Sequence, residues 1–273
     1  MKEGELAVSK EYIALKEQFE LLKTELSKLI SDRDDLINKV KPNIEAQYYI
    51  HIGKKQYRLF LIRNDVLRLR RKIELIQVDL NRGESPDLSK IERDLDIELQ
   101  KWREEVLALY RKIRHAEYWE KLPELSLDDA RELKRLYREL VKKLHPDVNE
   151  HLPDNYKHMW DRVLTAFKMG DLEEMQTLAL LYVDQKESVA EISTMEQLAA
   201  DIEHLKEKIK RLLKILAEMQ NDFPFNLQDK LEDREWIKTQ KEAILKELKE
   251  YQAQKQVYSA LLKDLLNPHK TIH

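Results

Sequence analysis

The sequence contains no cysteine, and only 4 of its 273 residues are glycine. Without cysteine, the chain has no disulfide framework, no cysteine-ligated zinc and no thiol nucleophile. The N-terminal residues MKEGELAVSK lack the apolar stretch of a secretory signal. No run approaches the roughly 18 consecutive apolar residues that a membrane span requires. These absences predict a cytoplasmic protein with no membrane span.

Charge of either sign is abundant but nearly balanced. Charged residues make up 37% of the chain and hydrophobic residues 42%, while the net charge is −3. Usage of this kind, with so little glycine, is typical of long helices and coiled coils. The balance gives no global basis for binding nucleic acid or an acidic membrane, so neither is expected as a partner. Any basic surface must therefore be local.

Apolar residues recur at alternating spacings of three and four, which predicts long helices with narrow apolar seams. Lys41-Pro42 is expected to interrupt the first seam, because proline lacks a backbone donor. The stretch NDFPFN, residues 221–226, is predicted to be a turn. The predicted fold class is all-α, with long antiparallel helical hairpins forming coiled-coil arms around a smaller helical unit. The first seam comprises Leu15, Phe19, Leu22, Leu26, Leu29, Leu36 and Val40, and the last long seam comprises Met195, Leu198, Ile202, Leu205, Ile209, Leu212, Leu216 and Met219.

The middle of the chain differs from the arms on either side. Its helices are predicted to be shorter, and it carries helix-capping signals such as Ser126-Leu127-Asp128-Asp129. We therefore divide the chain into an N-terminal arm, residues 1–115, a middle segment, residues 116–185, and a C-terminal helical hairpin, residues 190–273. Two arrangements of the arms stay open. In the first, the arms pack on each other within one chain. In the second, they join two chains in a homodimer.

A helix predicted to start near Asp128 is unusually basic. Between residues 131 and 143, six cations are opposed only by Glu132 and Glu139, which gives a local charge of +4 in a chain whose net charge is −3. Interaction with the helix dipole favours cations in the C-terminal half alone. A stripe along the whole helix suits an acidic protein surface or a phosphate backbone. This basic stripe comprises Arg131, Lys134, Arg135, Arg138, Lys142 and Lys143.

The basic helix is followed directly by His145, Pro146 and Asp147, named the HPD loop below. Proline ends a helix, aspartate is a short acceptor that can cap a turn, and histidine offers both a donor and an acceptor. Taken alone, the tripeptide is also compatible with an ordinary helix stop.

With its neighbours, the loop resembles the J-domain of DnaJ-type co-chaperones. The family's helix II has the form K-x-x-Y-R-x-L before His-Pro-Asp, and residues 134–140 match it in that register. Its helix I, D-Y-Y-x-x-L, is matched by residues 117–122. Its helix III, F-x-x-I-x-x-A-Y, is matched by residues 160–167 with conservative replacements. The likeness covers the middle segment only.

The resemblance implies a function. J-domains dock on a DnaK-type chaperone through the HPD loop and the basic helix II, and they stimulate its ATP hydrolysis allosterically. The protein would then be an activator and not an enzyme, with no cofactor and no bound metal. The arms would bind a client or a further partner, whose identity is unknown. The residues assigned to the small core that fixes the loop are Tyr118, Leu122, Tyr137, Leu140, Trp160, Val163 and Phe167.

Departures from the family pattern support a second interpretation. Helix III is expected to stop early, at Gly170, and to be followed by an amphipathic helix to about Gln185. Helix I resembles the end of a longer helix, and the counts of glycine and cysteine leave no room for a Gly/Phe-rich linker or a zinc module. The alternative is a structural coiled-coil adaptor whose J-like fold is degenerate and inactive.

Three further hypotheses have less support. A hydrolytic pair of His145 and Asp147 lacks a nucleophile elbow and a glycine-rich oxyanion loop. A second basic run, IRNDVLRLRRK at residues 62–72, is more typical of a solvated helix face than of a partner site. A metal site is also conceivable, but the spacing of its ligands matches no recognised pattern. The ligands in question are His145, His151, His158, Asp147 and Asp154.

Overall fold

A computed structural model describes residues 10–123, 125–149, 152, 154–182 and 194–267. Within these ranges the regular elements are helices and there is no strand, which confirms the predicted all-α class. None of the helices in these ranges combines the length and the apolar character needed to cross a membrane.

The helices account for most of the described chain. They are α1 (Lys10–Asp35), α2 (Lys41–Tyr48), α3 (Lys54–Asn81), α4 (Leu88–Glu98), α5 (Gln100–Trp119), α6 (Leu127–Leu144), α7 (Asp154–Met169), α8 (Leu172–Tyr182), α9 (Met195–Met219), α10 (Gln228–Glu232) and α11 (Arg234–Leu266). Two π-helical turns, Leu36–Val40 and Tyr49–Gly53, and a short 3₁₀ turn, Phe225–Leu227, complete the set.

Helical structure continues through Lys41-Pro42, because Pro42 lies in the first turn of α2. The regular helix α1 has nevertheless ended at Asp35, and the boundary between two compact units falls between Lys41 and Pro42. The preceding turn, Leu36–Val40, is π-helical, and the N–H of Lys41 donates to the carbonyl of Leu36, five residues back. A widened turn of this kind accommodates a residue that an α-helix cannot.

The chain folds as two compact units, each built from an early and a late part of the sequence. The first takes in Met1–Lys41 and Pro123–Asn226, and the second takes in Pro42–Leu122 and Leu227–His273. In the first unit α9 packs against α1, and in the second α11 packs against α3. The long C-terminal helices α9 and α11 therefore each pack against a helix of the N-terminal arm. This is one of the two arrangements that the sequence left open.

In the second unit, the basic run of residues 62–72 lies on α3 and is paired with carboxylates. Arg71 Nε lies 3.1 Å from a carboxylate oxygen of Glu98 on α4, and Arg63 lies 3.3 Å from Glu247 on α11. Arg68 and Lys72 also pair with acidic residues of α4. Because these cations are already matched within the unit, the run needs no outside partner to explain it.

In the first unit, α1, α6, α7, α8 and α9 share one hydrophobic core. The α1 helix contributes Leu26 and Ile30, which are 2% and 1% exposed. The other buried members of the core come from α6 to α9 and the HPD-loop region: Leu133, Leu136, Tyr137, Leu140, Val141, Leu144, Val148, Trp160, Val163, Ala166, Phe167, Met175, Leu178, Ala179, Leu205, Ile209 and Leu212.

Local end signals place the helices of the first unit. Ser126 caps α6, with its Oγ accepting the N–H of Asp129 at 3.0 Å. Gly170, with φ +72, ends α7 where the sequence predicted, because glycine adopts this left-handed conformation without strain. Asp171 then caps α8, accepting the N–H of Glu174 at 3.0 Å. The amphipathic helix predicted to reach Gln185 is observed to Tyr182, and the residues after Tyr182 lie outside the described ranges.

Candidate functional site

The site is built on α6, which is strongly amphipathic. Its apolar face lies in the core of the first unit, so the residues at the intervening positions face solvent or a neighbouring helix. The helix ends at Leu144, as predicted, and His145 takes an extended backbone conformation with φ −72 and ψ 129. The buried residues of this face are Leu133, Leu136, Tyr137, Leu140, Val141 and Leu144.

The HPD loop is a tight turn that presents its last two residues to solvent. The carbonyl of His145 accepts the N–H groups of both Val148 and Asn149 at 3.0 Å. Val148 is 5% exposed and attaches the end of the loop to the core. Pro146 and Asp147 are exposed, with 57% of the Asp147 side chain accessible. The loop therefore offers a hydrogen-bonded, exposed tip with one carboxylate.

His145 supports this tip from inside the protein. It is 7% exposed, and the edge of its ring contacts Trp160 with the ring centroids 4.6 Å apart. Its Nδ1 accepts the backbone N–H of Asp147 at 3.0 Å, so its remaining proton is on Nε2. Burial lowers the pKa of His145 to about 4, with the nearby Arg33 acting in the same direction. The imidazole is thus neutral at neutral pH and acts as a hydrogen-bond acceptor.

Two long helices contact the loop region through lysines that the motif did not indicate. Lys23 of α1 donates to Oδ1 of Asn149 at 2.9 Å, and Asn149 itself donates to the carbonyl of Lys142 at 2.8 Å. Lys208 of α9 donates to the backbone carbonyl of Asp147, also at 2.8 Å. The contacting residues are 126 and 61 positions apart in the sequence, so no local sequence pattern could have predicted these contacts.

Aromatic side chains of α6 and α7 form the core beneath the loop. The ring of Tyr137 stacks on Phe167 at 3.9 Å between centroids and lies 5.7 Å from the ring of Trp160. The Tyr137 hydroxyl donates to Oδ2 of the buried Asp34 at 2.6 Å, and burial raises the pKa of this phenol. Five of the residues predicted to form the core are buried together: Tyr137, Leu140, Trp160, Val163 and Phe167.

The prediction is wrong for the other two, Tyr118 and Leu122. Their exposed fractions are 64% and 37%, and both belong to the second unit. Tyr118 lies in the last turn of α5, and Leu122 follows that helix. The buried residues near this end of α5 are Ile113 and Ala116. Since the core face of α5 is defined by those two residues, Tyr118 turns outward. Within the first unit, α6 packs against α1.

The basic stripe of α6 is partly neutralised by acidic residues of α1. Lys134 Nζ lies 2.8 Å from Asp35 and 3.7 Å from Asp32, and Arg138 lies 3.8 Å from Asp32. Lys142 lies 3.4 Å from another α1 acid, Glu20. These side chains are between roughly a quarter and a half exposed, so each pair contributes little to stability and can exchange for an outside partner.

The remaining cations of the stripe pair within α6 or are partly buried. Arg131 pairs with Asp128 at 3.3 Å, and Arg135 pairs with Glu132 and Glu139 of the same helix at 2.7 and 2.6 Å. Lys143 is partly buried. Arg131 and Arg135 stay well exposed, which makes them the more accessible cations of the stripe.

The described residues give no support to a metal site. No group of three or more histidine, aspartate or glutamate side chains is placed to hold a metal ion in the part of the chain that the structure describes. The Nδ1 of His145 already accepts a backbone N–H, and His158 is exposed on α7. The side chains of His151 and Asp154, the other potential ligands, lie outside the described set.

No family model, curated protein or solved structure matches this chain. The likeness to the J-domain is therefore carried by the residues themselves: a basic α6, the HPD loop at its end, and the aromatic residues of α7 beneath it.

Proposed function

We propose that this protein is a J-domain-type co-chaperone. Its α6 helix and HPD loop dock on a DnaK-type ATPase and stimulate ATP hydrolysis by that partner. The proposal is supported above all by one observation: an exposed Pro146-Asp147 tip is hydrogen-bonded to the buried, neutral His145 at the end of a basic helix.

The geometry suits a docking role because the loop is ordered before it binds. Association then costs little additional conformational entropy at the contact. The cations of α6 accelerate encounter with an acidic surface and orient it, an effect that weakens as salt increases. The chain contributes no nucleophile and makes no covalent bond in this scheme. Its contribution is differential binding to one conformational state of the partner ATPase.

The long helices of the arms would connect the ATPase to its client or to a further protein. We include a cytoplasmic location in the proposal, in keeping with the lack of cysteine. The alternative function, a coiled-coil adaptor with an inactive J-like fold, is favoured by the pairing of Lys134, Arg138 and Lys142 with acids of α1. Those contacts occupy cations that an active docking surface would use.

Single-turnover ATP hydrolysis by the DnaK-type chaperone of the same host tests the proposal. We expect the wild-type protein to accelerate hydrolysis and Asp147→Asn to abolish most of that acceleration. Asp147 is the informative position because its side chain is exposed and its loss leaves the loop's backbone hydrogen bonds intact. Asp229→Asn, which removes an exposed carboxylate from α10 in the second unit, is the matched control and should behave as wild type.

His145→Gln adds a second comparison. It should also abolish stimulation, but its melting temperature must be measured in parallel because His145 is buried. A wild-type protein without any effect on hydrolysis would exclude the co-chaperone function and leave the adaptor. Full stimulation by Asp147→Asn would exclude the HPD loop as the contact.

A further inference from the structure

A second basic segment lies on α9, far from the J-like motif in sequence. Residues 206–214 contain five cations and a single acid, Glu207, so their local charge equals the +4 of the α6 stripe. The helix dipole does not account for them, because they occupy the middle of a helix that continues to Met219. The cations are Lys206, Lys208, Lys210, Arg211 and Lys214.

The fold brings this segment to the HPD loop. Lys208 Nζ donates to the backbone carbonyl of Asp147 at 2.8 Å, so α9 passes directly beside the exposed tip. The neighbouring face of α9 packs into the same core as α6, through Leu205 and Ile209, and Lys208 lies at the edge of that face and is half-buried. Arg211 lies one helical turn beyond Lys208 and therefore on the same side of the helix.

Two of the α9 cations pair with acids of the same helix, Lys206 with Glu203 at 2.6 Å and Lys214 with Glu218 at 3.7 Å. On α6, three cations lie within salt-bridge distance of acids on α1. On α9, Arg211 Nε donates to a backbone carbonyl, that of Glu207, at 3.3 Å. Within the described ranges, neither Lys210 nor Arg211 forms an ion pair. The positive potential next to the loop is therefore contributed by α9 as well as by α6.

We propose that the side of α9 bearing Lys208 and Arg211 is a second part of the docking surface, and that it receives an acidic region of the same ATPase that contacts α6 and the HPD loop. The inference rests on the proposed function and extends it. The partner that fits this side of α9 is an acidic protein surface, because the basic side chains of α9 are continuous with the loop already assigned to that contact. Lys208 has two roles in this proposal: it contributes positive charge to the docking surface, and it donates a hydrogen bond to the Asp147 carbonyl.

Arg211→Glu tests the proposal without disturbing the loop. Stimulated ATP hydrolysis is measured against the concentration of this protein at low salt. Exchanging one attractive contact for a repulsive one should raise the concentration for half-maximal stimulation about tenfold. The maximal rate should stay unchanged, because the loop itself is intact. Arg211→Lys should restore most of the affinity.

Lys206→Glu is the matched control. It makes the same change of charge on the same helix, but five residues from Arg211 the side chain points to a different side of α9. It should leave the half-maximal concentration near the wild-type value. Both variants are compared by circular dichroism melting, and if Arg211→Glu lowers the melting temperature, Arg211→Gln takes its place with a smaller expected shift.

The outcomes separate this inference from the proposed function. If the wild type stimulates and Asp147→Asn does not, but Arg211→Glu and Lys206→Glu behave alike, the role of α9 is wrong while the docking function stands. A lowered maximal rate at an unchanged half-maximal concentration also contradicts it. Binding of a mixed-sequence oligonucleotide more tightly than the ATPase, lost in Arg211→Glu, would assign the surface to nucleic acid. Without wild-type stimulation, both proposals fail.

Discussion

The Tyr137 hydroxyl donates a 2.6 Å hydrogen bond to Oδ2 of Asp34, and so connects the middle of α6 to the end of α1 inside the core. The acceptor is 5% exposed and is also paired with Arg33 at 2.7 Å. A family pattern identifies Tyr137 as part of the support for the loop. Only the fold shows that its hydroxyl has a carboxylate partner 103 residues away.

Tyr137→Phe removes this donor and keeps the ring that stacks on Phe167. We expect the free energy of unfolding to fall by about 1–3 kcal/mol, because a charged acceptor is left buried with one partner fewer. Urea denaturation followed by circular dichroism measures the change. Tyr57→Phe is the control, since the Tyr57 ring packs against Tyr110 in the second unit. Equal losses in the two variants would show that the hydroxyl of Tyr137 contributes nothing specific.

The acids of α1 and an outside partner compete for the same cations of α6. Neutralising both Asp32 and Asp35, as Asn, removes the competitors of Lys134 and Arg138. The concentration of this protein for half-maximal stimulation should fall by a factor of about 1.4 to 5, the range that an exposed ion pair of about 0.2–1 kcal/mol allows. The ATPase assay described above measures it.

The control for this double variant neutralises two acids of the second unit, Asp65 and Glu247, in the same way. They form similar exposed pairs with Lys255 and Arg63. The net charge changes equally, so a general charge effect would appear in both double variants. Weaker stimulation by the α1 variant would mean that its acids contact the partner directly and do not compete with it.

The burial of His145 makes the stability of the first unit depend on pH. Its pKa is about 4 in the folded protein against 6.5 for an ordinary histidine, so the unfolded chain binds the proton more tightly. The contribution of the neutral ring is complete above pH 6.5 and is lost as the pH falls toward 4. Up to about 3 kcal/mol of unfolding free energy is involved.

Urea denaturation at pH 7.5, 6, 5 and 4.5 tests this dependence. The wild type should lose more stability over this range than His145→Gln, whose side chain does not titrate. Other ionisable groups contribute equally to both proteins, so the difference between the two curves isolates His145. Parallel curves would contradict a depressed pKa at this residue.

The segment of residues 116–185 should not fold when it is expressed alone. Its core is completed by apolar residues of α1 and α9 that lie outside it. Full burial of each contributes about 1.5–3 kcal/mol, and together they match the entire stability of a typical domain, about 5–15 kcal/mol. A cooperative thermal transition of the isolated segment would contradict this. The residues concerned are Leu26, Ile30, Leu205, Ile209 and Leu212.

What the sequence predicts well in this protein is local. The end of α6 at Leu144, the cap at Ser126 and the turn at Gly170 follow from the chemistry of single residues, and the structure confirms each. The apolar face of α6 follows from a 3.6-residue period. The burial of Trp160 and Phe167 follows from the motif register.

What the sequence does not predict depends on which helices become neighbours. Tyr118 matches a family position but is exposed, because the core face of α5 is set by contacts at Ala116 that no motif shows. The seam of α1 is predictable from its leucines, whereas the burial of Ser27, Ser31 and Asp34 on the same helix is not. A pattern of apolar residues cannot indicate that polar residues are buried. These three are buried because α1 packs against α6 and α9.

Ser31 gives the last prediction, because it is a buried polar residue with an unused hydrogen-bonding group. It is 0% exposed, and its Oγ has no hydrogen-bond partner in the described part of the chain. Ser31→Ala removes the desolvated hydroxyl and introduces a better helix former at the same Cβ position. We expect the free energy of unfolding to rise by about 0.5–1.5 kcal/mol.

Ser27→Ala is the matched control on the same helix, one turn earlier. Ser27 is 1% exposed, but its Oγ donates to the carbonyl of Lys23 at 2.6 Å. Its replacement loses a hydrogen bond while gaining the same helix propensity, so the net change should be near zero. Urea denaturation of the two variants at pH 7.5 compares them directly. A Ser31→Ala protein no more stable than Ser27→Ala would show that the Ser31 hydroxyl has a partner, such as a buried water, that offsets its desolvation.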